Sequence, residues 1–121
     1  METILAEKMT AILDLGVFNT RAKDFYDIYL LTNTLSDKFN NAVLQQAFHN
    51  TINRRKKENL LSDVQKTITQ TIGNQDIRKH WAKYRAEYPY AADIEFEQVE
   101  AAMCKLFEWV GYKIELLHKM A

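Results

Sequence analysis

Glu95-Phe96-Glu97-Gln98-Val99-Glu100-Ala101-Ala102-Met103-Cys104-Lys105-Leu106-Phe107-Glu108-Trp109-Val110-Gly111-Tyr112-Lys113-Ile114-Glu115-Leu116-Leu117-His118 holds the longest helical signature in this 121-residue chain. Phe96, Val99, Met103, Leu106, Val110, Ile114 and Leu117 recur every three or four residues, so a helix from about Glu95 to His118 gathers them into one stripe. A stripe of that length suits packing along a bundle and makes this helix the spine of the fold.

Shorter stripes precede it. A first helix over about Glu2 to Leu15 aligns Ile4, Leu5, Met9, Ile12 and Leu13, and Gly16 supplies its C-terminal cap. Asn19 or Thr20 is placed to cap a second helix reaching about Thr32, with Phe25, Ile28, Tyr29 and Leu31 on its apolar side. Ser36 caps a third from Asp37 to about Thr51, carrying Phe39, Val43, Leu44, Ala47 and Phe48, and Asn53 to Asn59 follows as a connection. A fourth covers about Ser62 to Ile72 with the thin stripe Val64, Ile68 and Ile72, ended by Gly73 and Asn74. The fifth, Gln75 to about Glu87, presents Ile77, Trp81 and Tyr84 and stops before Pro89. With three glycines, one proline and no sustained alternation, no strand is expected. The fold class is all-α: a single compact helical bundle of about six helices with a long C-terminal helix.

Composition bounds the function. A hydrophobic fraction of 47% supports a buried core, which argues against disorder. Sixteen basic and sixteen acidic residues leave no net charge, which argues against a polyanion binder acting through whole-molecule attraction and leaves room for a local basic patch. Cys104 has no cysteine to pair with and reads as a small core or boundary residue. His49, His80 and His118 are scattered without the spacing of a zinc site, so no metal ligand set is expected in this chain. Without a secretory leader or a long apolar run the expected location is cytoplasmic, with no membrane partner.

The charged constellations lie on the first two helices. Lys8 sits one place before Met9, at the edge of the apolar stripe, where its stem can pack and its ammonium reach a phosphate, or simply face solvent. Glu7 points about 100° away from it. Asp24 and Asp27 are three apart and share a face, with Lys23 beside them and Arg21 at the helix start. Two carboxylates on one face repel unless a positive group lies between them: Lys8, a magnesium ion, or Arg21 and Lys23 in ordinary surface pairs. Asp24 in the first turn also suits the positive helix end, whereas Asp27 lies deeper among aromatic and aliphatic residues. Arg54-Arg55-Lys56-Lys57, the only strongly basic run, reads either as phosphate contact to RNA or as a solvated connection.

Glu2-Thr3-Ile4-Leu5-Ala6-Glu7-Lys8, followed eleven residues on by Asn19-Thr20-Arg21-Ala22-Lys23-Asp24-Phe25-Tyr26-Asp27-Ile28-Tyr29-Leu30-Leu31, resembles the third and fourth motifs of the AbiEii-type nucleotidyltransferase-like toxins of bacterial abortive infection. Trp81-x-x-Tyr84, Tyr90-Ala91 and Ile94-x-Phe96-x-x-Val99 resemble that family's helical tail. The resemblance implies nucleotide phosphate contact by Lys8, with Arg21 and Lys23 alongside, and acceptor activation or site organisation by Asp27 or Asp24. For the complete protein it implies Mg2+, a nucleoside triphosphate, an RNA acceptor such as transfer RNA and a repressor-type antitoxin. The family's Gly-Gly turn and Asp-x-Asp strand are not in this sequence. The chain is therefore expected to be the C-terminal helical portion, binding no cofactor tightly and inactive without an N-terminal nucleotidyltransferase lobe. The other reading is a non-catalytic interaction module. On either, apolar surface at Ile4, Leu5, Phe25 or Tyr29 is expected to lie bare and to drive self-association.

Overall fold

The computed structural model describes residues 2–34, 38 and 40–114. Helix α1 (Glu2–Leu15) buries Leu5, Ala6, Met9, Ile12 and Leu13 along one side. It ends at a 3₁₀ turn, Gly16–Phe18, whose first residue has φ +52°, a conformation that glycine adopts without a Cβ clash. Helix α2 (Ala22–Thr34) follows, its entry set by Asn19, whose Oδ1 accepts the Arg21 N–H at 2.8 Å. Then come α3 (Asn41–Arg54), a 3₁₀ segment Glu58–Asp63, α4 (Val64–Gly73), α5 (Gln75–Glu87), a 3₁₀ turn Pro89–Ala91 and α6 (Phe96–Trp109). Among the described residues there is no strand, and the fold is an all-α bundle of six α-helices.

Helix α1 packs on α2, α3 and α4, while α2 also lies against α5 and α6. Phe48 of α3 meets Phe107 of α6 edge-on at 6.1 Å, and Phe25 of α2 meets Phe96 at 6.1 Å. Each such fully buried large side chain contributes about 1.5–3 kcal/mol. Threonines reach core positions by donating to the carbonyl one turn back: Thr10 to Ala6 at 2.9 Å, Thr51 to Ala47 at 2.9 Å and Thr71 to Thr67 at 2.7 Å. Arg78 ties α5 to α6. Its guanidinium lies over the Phe96 ring at 4.8 Å and pairs with Glu97 at 2.9 Å and with the fully buried Glu100 at 3.2 Å.

The structure departs from the sequence reading in several places. Helix α6 stops at Trp109 because Gly111, at φ +100°, reverses the chain and the Tyr112 N–H closes back on the Phe107 carbonyl at 2.9 Å. α6 is therefore no longer than α1 or α3. Ile114 is half-buried beyond the helix, and Leu117 and His118 lie outside the described residues. The third helix is capped by Asn40, whose Oδ1 accepts from Ala42 and Val43; Ser36, Asp37 and Phe39 lie outside the described residues. That helix runs on through Asn53 to Arg54, and Val43 is exposed because it falls beside the Leu44 and Phe48 stripe. The fourth helix begins at Val64, since residues 58–63 wind as 3₁₀. Of the apolar residues expected bare, Ile4 is exposed, Tyr29 is half-buried, and Leu5 and Phe25 are core.

Candidate functional site

Packing of α1 on α2 brings Lys8 over the face that Asp24 and Asp27 share. Met9 is buried, so the lysine stem lies along the core margin with its side chain 25% exposed. Lys8 Nζ stands 2.9 Å from Asp24 Oδ1 and 2.9 Å from Asp27 Oδ2. Lys23 Nζ reaches Asp27 at 3.0 Å from one turn earlier, and Arg21 Nε approaches Asp24 Oδ2 at 3.4 Å. That second Asp24 oxygen is buried and has no hydrogen bond among the described residues. The cluster thus sets three cations against two carboxylates.

An ammonium has three protons, and two carboxylates engage Lys8 while part of the group still meets solvent. Burial pushes the Lys8 pKa down, but the hydrogen bonds and charges of Asp24 and Asp27 outweigh this and hold it above the ordinary lysine value. The group is a fixed positive charge. Asp24 is the deeper carboxylate, 4% exposed against 17% for Asp27, the reverse of what position along the helix suggests. Depth is decided by which side meets α1, and Asp24 lies closer to that line.

The basic run sits on the other flank of α1. Arg54 and Arg55, at the end of α3, both pair with Glu7, each guanidinium taking one carboxylate oxygen. Lys57 lies 3.4 Å from Asp14, and Lys56 turns the chain at φ +56° with its side chain exposed. Glu7 and Lys8 therefore serve different constellations, and the Arg54 to Lys57 run is not brought into contact with Asp24 or Asp27.

A tyrosine cluster adjoins the cluster on its α5 side. Tyr26, next to Asp27 in sequence, packs with tilted rings at 4.8 Å against Tyr90 and at 6.2 Å against Tyr84. The Tyr84 and Tyr90 hydroxyls are 2.6 Å apart. Burial, the Tyr90 hydrogen bond and the nearby Asp27 charge push the Tyr84 phenol well above its usual value, so it stays neutral. Trp81 and Tyr84 are core, as expected of their helical spacing. The pairing of Tyr26 with Tyr90 escaped the sequence reading because it depends on the turn at Pro89. So did the grip of Glu7 on the basic run.

No trio of carboxylate, imidazole or thiolate groups converges to hold a metal ion among the described residues. Asp24 and Asp27 each spend an oxygen on Lys8, so the residues here suit an anionic ligand at the ammonium and do not by themselves fit a metal centre. A family model described as the nucleotidyl transferase AbiEii toxin of a type IV TA system matches residues 1–105. The chain belongs to the AbiEii family. The matched span of this AbiEii chain takes in Lys8, Arg21, Lys23, Asp24, Asp27 and the whole basic run, and ends within α6. Neither a curated protein nor a solved structure matches it. Among the described residues no helix is long and apolar enough to cross a membrane.

Proposed function

We propose that this chain is the helical C-terminal portion of an AbiEii-type nucleotidyltransferase toxin and contributes one wall of its nucleotide site. The observation that carries this reading is the Lys8 ammonium, fixed between Asp24 and Asp27 at the edge of solvent. A positive charge already oriented before substrate arrives loses little on binding a phosphate. Asp24, the buried partner, organises Lys8. Asp27, the more open one, accepts the proton of the acceptor hydroxyl as its oxygen bonds the α-phosphorus and pyrophosphate leaves. Arg21 and Lys23, on the exposed rim, add phosphate contacts.

The complete protein takes a nucleoside triphosphate and Mg2+, with metal ligands on an N-terminal nucleotidyltransferase lobe bearing Gly-Gly and Asp-x-Asp. The acceptor is an RNA such as transfer RNA, which Arg54, Arg55, Lys56 and Lys57 meet through its phosphates, and its place is the bacterial cytoplasm in phage defence. The test is calorimetry of nucleotide binding in magnesium, on this chain and on a version extended upstream through its reading frame, each with Lys8→Ala and Asp27→Ala. Binding by the extended protein alone, weakened about tenfold or more by Lys8→Ala, is expected for a lost charge-assisted phosphate contact. Binding untouched by both substitutions would leave a helical interaction module with no chemistry.

A further inference from the structure

Two open cavities meet between the α1–α2 connection and the outer face of α5. One, of about 360 Å³, is lined by Phe18, Asn19, Thr20, Lys79 and His80 among others. The other, of about 260 Å³, takes up from the shared Thr20 and His80 and continues past Lys83 to Tyr84 and Tyr88. Together they make a groove with an aromatic ring at each end, Phe18 at 84% exposed and Tyr88 at 38%. Lys79 and Lys83 lie between the rings, one turn apart on α5 and so about 6 Å along its axis. Asp76 and Glu87 lie on the walls, so attraction depends on the lysines' placement and not on a broad field.

Asn19 adds an independent sign of a ligand. It is 1% exposed, its Oδ1 is taken by the Arg21 N–H, and its Nδ2 has no hydrogen-bond partner among the described residues. A buried amide donor left without an acceptor costs about 1–3 kcal/mol. This one stands at the wall of the groove, where an oxygen of a bound molecule would relieve it.

We propose that the groove binds a short single-stranded stretch of RNA, with phosphates at Lys79 and Lys83, bases on Phe18 and Tyr88, and an oxygen on Asn19 Nδ2. Two cations flanked by rings along an open channel suit a single strand, because every unpaired base offers a face for stacking and every linkage a negative charge. An acidic peptide would use the lysines and leave the rings idle. The proposal rests on the reading that the acceptor is RNA and gives that acceptor a path along α5, lined by residues other than the Arg54 to Lys57 run.

The experiment is fluorescence anisotropy of a labelled mixed-sequence RNA octamer on this chain. The variants are Phe18→Ala, Tyr88→Ala and the double Lys79→Ala, Lys83→Ala, all at exposed positions, with circular dichroism to confirm the fold. Loss of two phosphate contacts is expected to weaken binding about tenfold and to flatten its salt dependence. Each ring substitution is expected to cost about fivefold or more. In amide-resolved NMR the Asn19 side-chain signals shift on adding the octamer. Unchanged affinity in all three variants, equal binding of a duplex of the same length, or signal shifts confined to residues 54–57 would each overturn the groove. Nucleotide binding by the extended protein, read by calorimetry with Lys8→Ala, reports on the separate Lys8 site, so one reading can fail without the other.

Discussion

Asp24 holds Lys8 with one carboxylate oxygen at 2.9 Å, and its second oxygen is buried without a hydrogen bond among the described residues. That oxygen faces Arg21 Nε at 3.4 Å, so the buried carboxylate is held between two cations, and removing it leaves Lys8 short of a partner. Asp24→Ala is expected to lower stability by about 2 kcal/mol, the range for hydrogen bonds to charged groups. Asp27→Ala, on a more open and partly screened pair, is expected to cost less than about 1 kcal/mol. Urea unfolding midpoints of the two variants check the order; an Asp27 variant less stable than the Asp24 variant would reverse the assignment of roles.

Glu7 restrains two arginines at the surface, each more than 40% exposed. Glu7→Gln is expected to change stability by less than about 1 kcal/mol, as exposed pairs do. The same change frees Arg54 and Arg55, so the variant should elute from heparin at higher salt than the parent. Elution at the same salt would show that the arginines are equally available in both.

Arg78→Met removes the guanidinium from the buried Glu100 and from Glu97 while keeping much of the stem that covers Phe96. Removing the guanidinium from a buried carboxylate is expected to cost up to about 3–5 kcal/mol. Adding Glu100→Gln to it should recover a good part of the loss, measured by thermal unfolding. A double variant no better than the single would place the cost in the contact over Phe96 and the lost Nε hydrogen bond to the Ile72 carbonyl.

Alkaline pH should unfold the bundle through two identified groups. Lys8 is raised above 10.5 and Tyr84 above 10.0, so the folded state binds both protons more tightly than the unfolded chain. Their contribution to stability is complete below those ordinary values and is lost as pH rises through the folded ones. Urea midpoints should therefore hold level in this respect up to about pH 10 and decline above it, less steeply in Lys8→Met.

Much of this was readable from residue order. Helix α5 is legible from Gln75 to about Glu87 because Gly73 and Asn74 break the chain before it and Pro89 bars its continuation; that Asn74 also caps it is seen only in the structure. The Lys8, Asp24 and Asp27 grouping was legible because the aspartates are three apart and α1 must lie beside α2. The end of α6 was not, since Val110 and Ile114 keep the apolar rhythm going across Gly111, and only the backbone angle there reveals the reversal. Nor was the meeting of Glu7 with Arg54 and Arg55, forty-seven and forty-eight residues away, which exists only once α1 and α3 have packed. The greater depth of Asp24 was misjudged because helical position says which residues share a side, not how far each lies from the neighbouring helix.

One result of the consecutive placement of Glu7 and Lys8 is that α1 acts as a partition. The arginine pair and the lysine lie on faces of α1 about 100° apart around a cylinder about 10–12 Å across. A single phosphate group cannot touch both faces, whereas a polymer carrying many can straddle them. Occupancy of the two flanks by one polymeric molecule would be bivalent, the second contact strengthened by the local concentration that the first creates. Monomeric and polymeric forms of the same chemistry would then differ in avidity through span alone.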